Sequence, residues 1–223
     1  MRKAVAAIAW LVVSSSLGAG TLFPTPLHLV RRIEDPISKT TTTLDEFCYG
    51  GRIVSVTANG SRVAITDYDA QLLTEIDHTS ATYSVTRFDD IAKARPHVDT
   101  PGKATVTVSV DRSVALSSDA VEAIVGAAYP NRRDSRHEQI LAAAAPSSGG
   151  RLAAQSAESA YGLPTDTSIE FEAGLIYRNV VVRFDHDLPP APVMLIDPGA
   201  TRVESRLTRM TREMQQLDKL PRQ

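Results

Sequence analysis

The chain has 223 residues with 26 acidic against 24 basic side chains, a formal net charge of -2 at pH 7. That balance argues against a nucleic-acid surface, and a single cysteine, Cys48, excludes an internal disulfide even in an oxidising compartment. What remains after residues 1–20 is long enough for one domain with a sizeable core.

Arg2 and Lys3 head an unbroken apolar run at 4–13 and a small-residue tail at 14–20. This is the three-part pattern of a secretory signal peptide, and the run is too short to span a bilayer. The expectation is therefore a cleaved signal at 1–20, a periplasmic or secreted protein, and no stable transmembrane segment after cleavage. Removal takes Trp10, the only tryptophan, and leaves 22 basic against 26 acidic residues, a formal charge of -4.

Residues 21–223 read as a single α+β domain. A short extended piece at 27–30 precedes a Thr- and aromatic-rich strand at 37–49, bounded by Pro36 and Gly50-Gly51. Four short strands follow between 52 and 88. Asn59-Gly60 joins the first two and predicts a type I′ turn that sets Val56 against Val63 and Val54 against Ile65. Four branched apolar side chains then share one face. The other face receives Ser55, Thr57, Arg62, Ala64 and Thr66, with Ile53 the apolar outlier. Phe88 to Ala94 can make a turn or two of helix before Arg95-Pro96. Residues 103–110 alternate apolar and polar as a half-buried strand.

Ser117 or Ser118 is placed to cap a helix that stops before Pro130, and Asp134 to cap a second that ends before Pro146. Residues 146–160, rich in Ser, Gly and Ala, fit either loop or weak helix. Strands resume at 167–172 and 175–184 as a hairpin through Ala173-Gly174. Pro189, Pro190 and Pro192 interrupt the sheet, and 193–196 reads as one more short strand. Val203, Leu207, Met210, Met214 and Leu217 form one stripe of an amphipathic helix at about 202–219. That helix either docks on its own domain or engages a partner.

The order of these pieces, with Ile76-Asp77-His78, Thr82-Tyr83 and Ile196-Asp197-Pro198-Gly199-Ala200, resembles exported bacterial proteins related to the outer-membrane lipoprotein carrier superfamily. The resemblance implies a strongly curved, mainly antiparallel sheet, half-barrel-like, closed by a few helices around an apolar cavity. It implies a lipid or an acylated protein as partner. Under it, Val54, Val56, Val63 and Ile65, joined by Ile76, Tyr83 and Val85, line the concave side beneath the helices. Plain core packing by the helices of 118–145 also accounts for the same seven residues, since every covered sheet shows this pattern.

Catalytic and metal motifs fail on spacing. His137-Glu138-Gln139-Ile140-Leu141 begins like a zinc-protease helix, but Leu141 stands where the second His is required. Asp185-His186-Asp187 reads as a solvated strand end, since alternation sends His186 opposite to the carboxylates. No nucleophile elbow, phosphate loop or cysteine-rich spacing occurs, so neither a cofactor nor a metal is expected. Arg202, Arg206 and Arg209 lie on one flank of the last helix, fitting anionic headgroups, an acidic partner or an ordinary solvated face. Three readings stand: a non-enzymatic exported protein that binds a lipid, acylated protein or other apolar ligand; an envelope interaction or sensor module with a filled core; and a hydrolase, which no motif supports.

Overall fold

The computed structural model describes residues 21–94, 104–126, 128, 134–146, 160–171 and 174–217. The expected signal peptide lies outside the described residues, as does nearly all of the ambiguous 146–160 stretch. The described chain is α+β, with ten strands in a single sheet. In chain order these are β1 (Phe23–Asp35), β2 (Thr40–Gly50), β3 (Arg52–Thr57), β4 (Arg62–Asp67), β5 (Leu72–Asp77), β6 (Thr82–Arg87), β7 (Thr105–Leu116), β8 (Tyr161–Phe171), β9 (Gly174–Asp185) and β10 (Thr201–Arg202). The helices are α1 (Phe88–Ala94), α2 (Ser118–Ile124), α3 (Ser135–Ala144) and α4 (Arg206–Leu217).

The strands lie in the order β10-β6-β5-β4-β3-β2-β1-β9-β8-β7. All pairs are antiparallel except β10 with β6. The sheet is neither strongly curled nor closed, which corrects the expected half-barrel. Its end strands, β10 and β7, find no partner in each other, so the ladder stays open.

Hairpin chemistry explains the long meander. In three turns the last residue of the incoming strand is an aspartate whose Oδ1 accepts backbone N–H groups. Asp35 takes Ile37 and Ser38 at 3.0 Å, Asp67 takes Ala70 at 2.8 Å, and Asp77 takes Thr79 at 2.9 Å and Ser80 at 3.1 Å. Each turn closes on a left-handed residue, Lys39, Gln71 or Ala81. The Asn59-Gly60 turn differs from the type I′ expectation, because Gly60 alone takes positive φ, at 67°. Asn59 instead uses its side-chain oxygen to accept from the Ser61 N–H at 3.1 Å. The register is nevertheless the expected one, with Val54 opposite Ile65 and Val56 opposite Val63.

Several elements run differently from their sequence signals. The short piece at 27–30 extends over Phe23–Asp35, with an irregularity between Phe23 and Leu27 where Pro24 and Pro26 cannot donate to the ladder. Residues Ala191–Met194 form a 3-10 helix rather than part of a strand, with Pro192 inside it. The last helix begins later than expected. Thr201 and Arg202 pair in parallel with Thr82 and Tyr83, which places Arg202 in the sheet. Ser205 then accepts the Thr208 N–H at 3.1 Å and starts α4 at Arg206.

Helix α2 is capped by Ser117, whose hydroxyl accepts from the Ala120 N–H at 3.1 Å. Gly126 follows it at positive φ, the conformation in which glycine ends helices at least strain. Asp134 caps α3 by accepting from the Arg136 and His137 N–H groups at 2.9 and 3.2 Å. Burial raises the Asp134 pKa, but the Arg136 hydrogen bond and the His137 contacts outweigh it and hold the carboxyl at about 2.

Candidate functional site

Residues directly opposite one another in a ladder share a face, so the register sorts the sheet into two. The first face carries all seven predicted apolar residues: Val54, Val56, Val63, Ile65, Ile76, Tyr83 and Val85. With Phe47, four of them form a buried cluster in which Val54 is wholly enclosed. Val193 and Met194 of the 3-10 helix pack against this cluster, and the Tyr49 hydroxyl donates to Met194 Sδ at 3.0 Å. The expectation that the helices of 118–145 close over these residues is therefore corrected. The proline-rich return segment packs on them, because β9 ends next to β1 and the chain crosses this face to reach β6.

Helix α2 packs on the opposite face. Ala120, Ala123 and Ile124 meet Leu27, Leu29, Cys48 and Ile53 in a second buried cluster. Ile53, the outlier of the sequence pattern, is thus part of the helix contact. Cys48 sits in this cluster, and burial pushes its thiol up, away from the reactive thiolate.

Beside that cluster the helices do not reach the sheet, and a cavity of about 430 Å³ remains. Its floor runs across six strands, β4, β3, β2, β1, β9 and β8, and its roof is the end of α2 with Arg136, His137 and Ile140 of α3. Apolar walls come from Ile33, Ile53, Ile124, Ile140 and Ile169. Ile176 joins them because β9 is irregular where Ile169 and Glu170 of β8 pair with Tyr177 and Leu175. The Tyr68 hydroxyl donates to the Ala123 carbonyl at 3.4 Å and ties β4 to the roof. Small polar side chains, Ser55, Thr66 and Thr167, occupy floor positions where larger ones would fill the space.

Polar chemistry in the chamber centres on Arg31, which is 4% exposed. Its Nε is ion-paired with Glu46, whose other oxygen accepts from the Ser55 hydroxyl at 3.4 Å. The Nε contact is an ion pair without hydrogen-bond geometry, and Arg31 Nη2 and Asn179 Oδ1 have no hydrogen-bond partner among the described residues. A buried polar group left without a partner costs about 1–3 kcal/mol, and more when charged. Asn179 lies diagonally across the ladder from Arg31, since Arg31 faces Val181 and Ile33 faces Asn179. Burial pushes the neighbouring Tyr177 phenol up, against the pull of the Arg31 charge and the Asn179 side chain.

Sequence reasoning missed Arg31, Glu46 and Asn179. A signal existed: Leu27, Leu29, Arg31 and Ile33 alternate along one face of β1, so a charged residue interrupts a row that must be covered. His137 is spent on the helix cap, its Nδ1 3.0 Å from Asp134 Oδ1.

The Asp185-His186-Asp187 stretch is arranged as alternation requires, with His186 Nδ1 turned to the Pro26 carbonyl at 2.6 Å. Asp185 meets a histidine that the sequence did not single out. His28, stacked on Phe47 with ring centroids 4.2 Å apart, places Nδ1 and Nε2 each 2.9 Å from a carboxylate oxygen, of Asp185 and Asp45. His28, Asp185 and Asp187 bring ligand atoms within 4.8 Å of one another. Both His28 nitrogens are engaged by carboxylates, so His28 ties β1 to β9 through Asp185 and to β2 through Asp45.

Arg206 and Arg209 are exposed and share a shallow groove with Glu75, Asp77 and Glu204, while Arg202 lies on the edge strand. Three carboxylates dilute the basic flank that the sequence suggested.

No helix among the described residues is long and apolar enough to cross a membrane. No family model matches the chain, and no curated protein matches it. Among solved structures it is similar to an uncharacterized conserved protein from Thermus thermophilus, at 9% identity and a TM-score of 0.42. That match covers 82% of this chain and 92% of the other, a likeness too distant to bear on function.

Proposed function

We propose that this protein is a non-enzymatic exported binding protein that holds a lipid, an acyl group or another apolar-bodied ligand in the chamber between the sheet and helices α2 and α3. The chamber itself carries the reading. Its volume of about 430 Å³ falls within the usual size of small-molecule sites, and isoleucines of floor and roof line it together with polar and charged side chains that can orient a ligand. Export is supported by the basic, apolar and small-residue succession of residues 1–20.

A second reading, an envelope protein that engages a protein partner, draws on the exposed apolar side chains Leu188 and Leu195, 60% and 64% exposed. Uptake of the uncharged fluorophore N-phenyl-1-naphthylamine separates the two. Saturable fluorescence enhancement that is lost in Ser55→Leu supports the chamber. No enhancement, together with no lipid co-purifying in native mass spectrometry, rejects it in favour of the protein partner.

A further inference from the structure

Resting on the chamber reading, we infer that its ligand is an uncharged amphiphile whose polar head offers both a hydrogen-bond acceptor and a donor, as a primary amide or a hydroxyl does. Arg31 is 4% exposed and lines the chamber, and its Nη2 holds donors without a partner among the described residues. That calls for an acceptor. Its charge, however, is already met by Glu46 through Nε. The other cation in the roof, Arg136, is likewise met by Asp134. A carboxylate ligand would therefore bring an unmatched negative charge beside Glu46, and that like-charge contact disfavours it.

Asn179 completes the match. Its Oδ1 is an acceptor without a partner, one diagonal step along the ladder from Arg31, and it lines the same chamber. An amide head presents its carbonyl to Arg31 and its N–H to Asn179 while the chain lies among the isoleucines of floor and roof. A hydroxyl serves both partners with one atom.

The test is displacement of N-phenyl-1-naphthylamine from the purified protein at pH 7 by decanamide, methyl decanoate and decanoate. Decanamide is expected to displace at about tenfold lower concentration than decanoate, the scale of one well-placed hydrogen bond, with methyl decanoate, which lacks a donor, between them. Glu46→Gln frees the guanidinium charge and is expected to reverse the order in favour of decanoate. Arg31→Met with Glu46→Gln, which leaves no charge behind, is expected to lose the head-group preference, each displacement being read relative to that variant's own fluorophore affinity; circular dichroism establishes that it folds. Decanoate preferred by the wild type, or an unchanged order in both variants, overturns the inference while fluorophore uptake leaves the chamber standing. Absence of uptake in the wild type overturns both.

Discussion

The two faces of one sheet meet their covers in opposite ways. On one, Val54, Val56, Val63 and Ile76 interlock into a filled cluster, against which Val193 and Met194 pack. On the other, α2 rests on Leu27, Cys48 and Ile53, α3 packs beside it, and about 430 Å³ stays open over Ser55, Thr66 and Thr167. Apolar residues at alternate positions identify the face that packs well. The face that makes room is the one with small polar side chains, because a helix held off the sheet by a few large contacts cannot settle onto short ones. A strong apolar stripe therefore marks a core, and the chamber lies behind it.

The contrast can be broken most forcefully at Val54. Val54→Asp puts a carboxylate into a wholly buried position and is expected to lose about 4 kcal/mol or more, read from urea unfolding. A wild-type midpoint would show that this face is not a packed core. Next in size is Arg31→Met, which strands Glu46 without its partner and should lose about 3–5 kcal/mol, whereas the double change with Glu46→Gln should return to within about 1 kcal/mol of wild type. Equal losses in both would mean that the guanidinium matters for packing alone.

Matched enlargements sharpen the comparison further. Val63→Phe overfills the packed face and should lose about 1–3 kcal/mol with fluorophore uptake retained. Ser55→Leu enters open space and should change stability by less than about 1.5 kcal/mol while abolishing uptake. The opposite pairing of outcomes would exchange the roles of the two faces.

The smallest effect belongs to the roof. Asp134→Ala removes the α3 cap, at a loss of about 1 kcal/mol. The Asp134 pKa is depressed to about 2 in the folded protein from an ordinary 3.8, so its contribution is fully present above 3.8 and is lost as the pH falls toward 2. Stability of the wild type minus that of Asp134→Ala, followed between pH 5 and 2, should shrink over that window. A constant difference would assign the cap no ionic part.

Much of the meander was legible because its determinants are local. Alternation and turn position set Val54 against Ile65 even though Gly60, not the Asn59-Gly60 pair, supplies the left-handed residue. Ser117 and Asp134 were legible as caps for the same reason: each hydrogen bond lies within three residues of the cap. Arg31 was legible only as an interruption in an apolar row, and Asn179 not at all, since its place beside Arg31 depends on β9 pairing with β1 across about 150 residues of chain. The 3-10 helix at Ala191–Met194 escaped notice because its prolines rule out a ladder without saying which surface they will cover.

By itself the sequence determined the strands of the β3–β6 meander, their alternation and the hairpin register, since these follow from side-chain size and turn residues acting over a few positions. Only the tertiary structure decided which face the helices roof. After β6 and α1 the chain passes to the opposite end of the sheet to form β7, and that long-range step carries α2 onto Ile53 instead of Val54. Local periodicity defines two faces, but the free energy that chooses between them is summed over contacts between residues far apart in the chain.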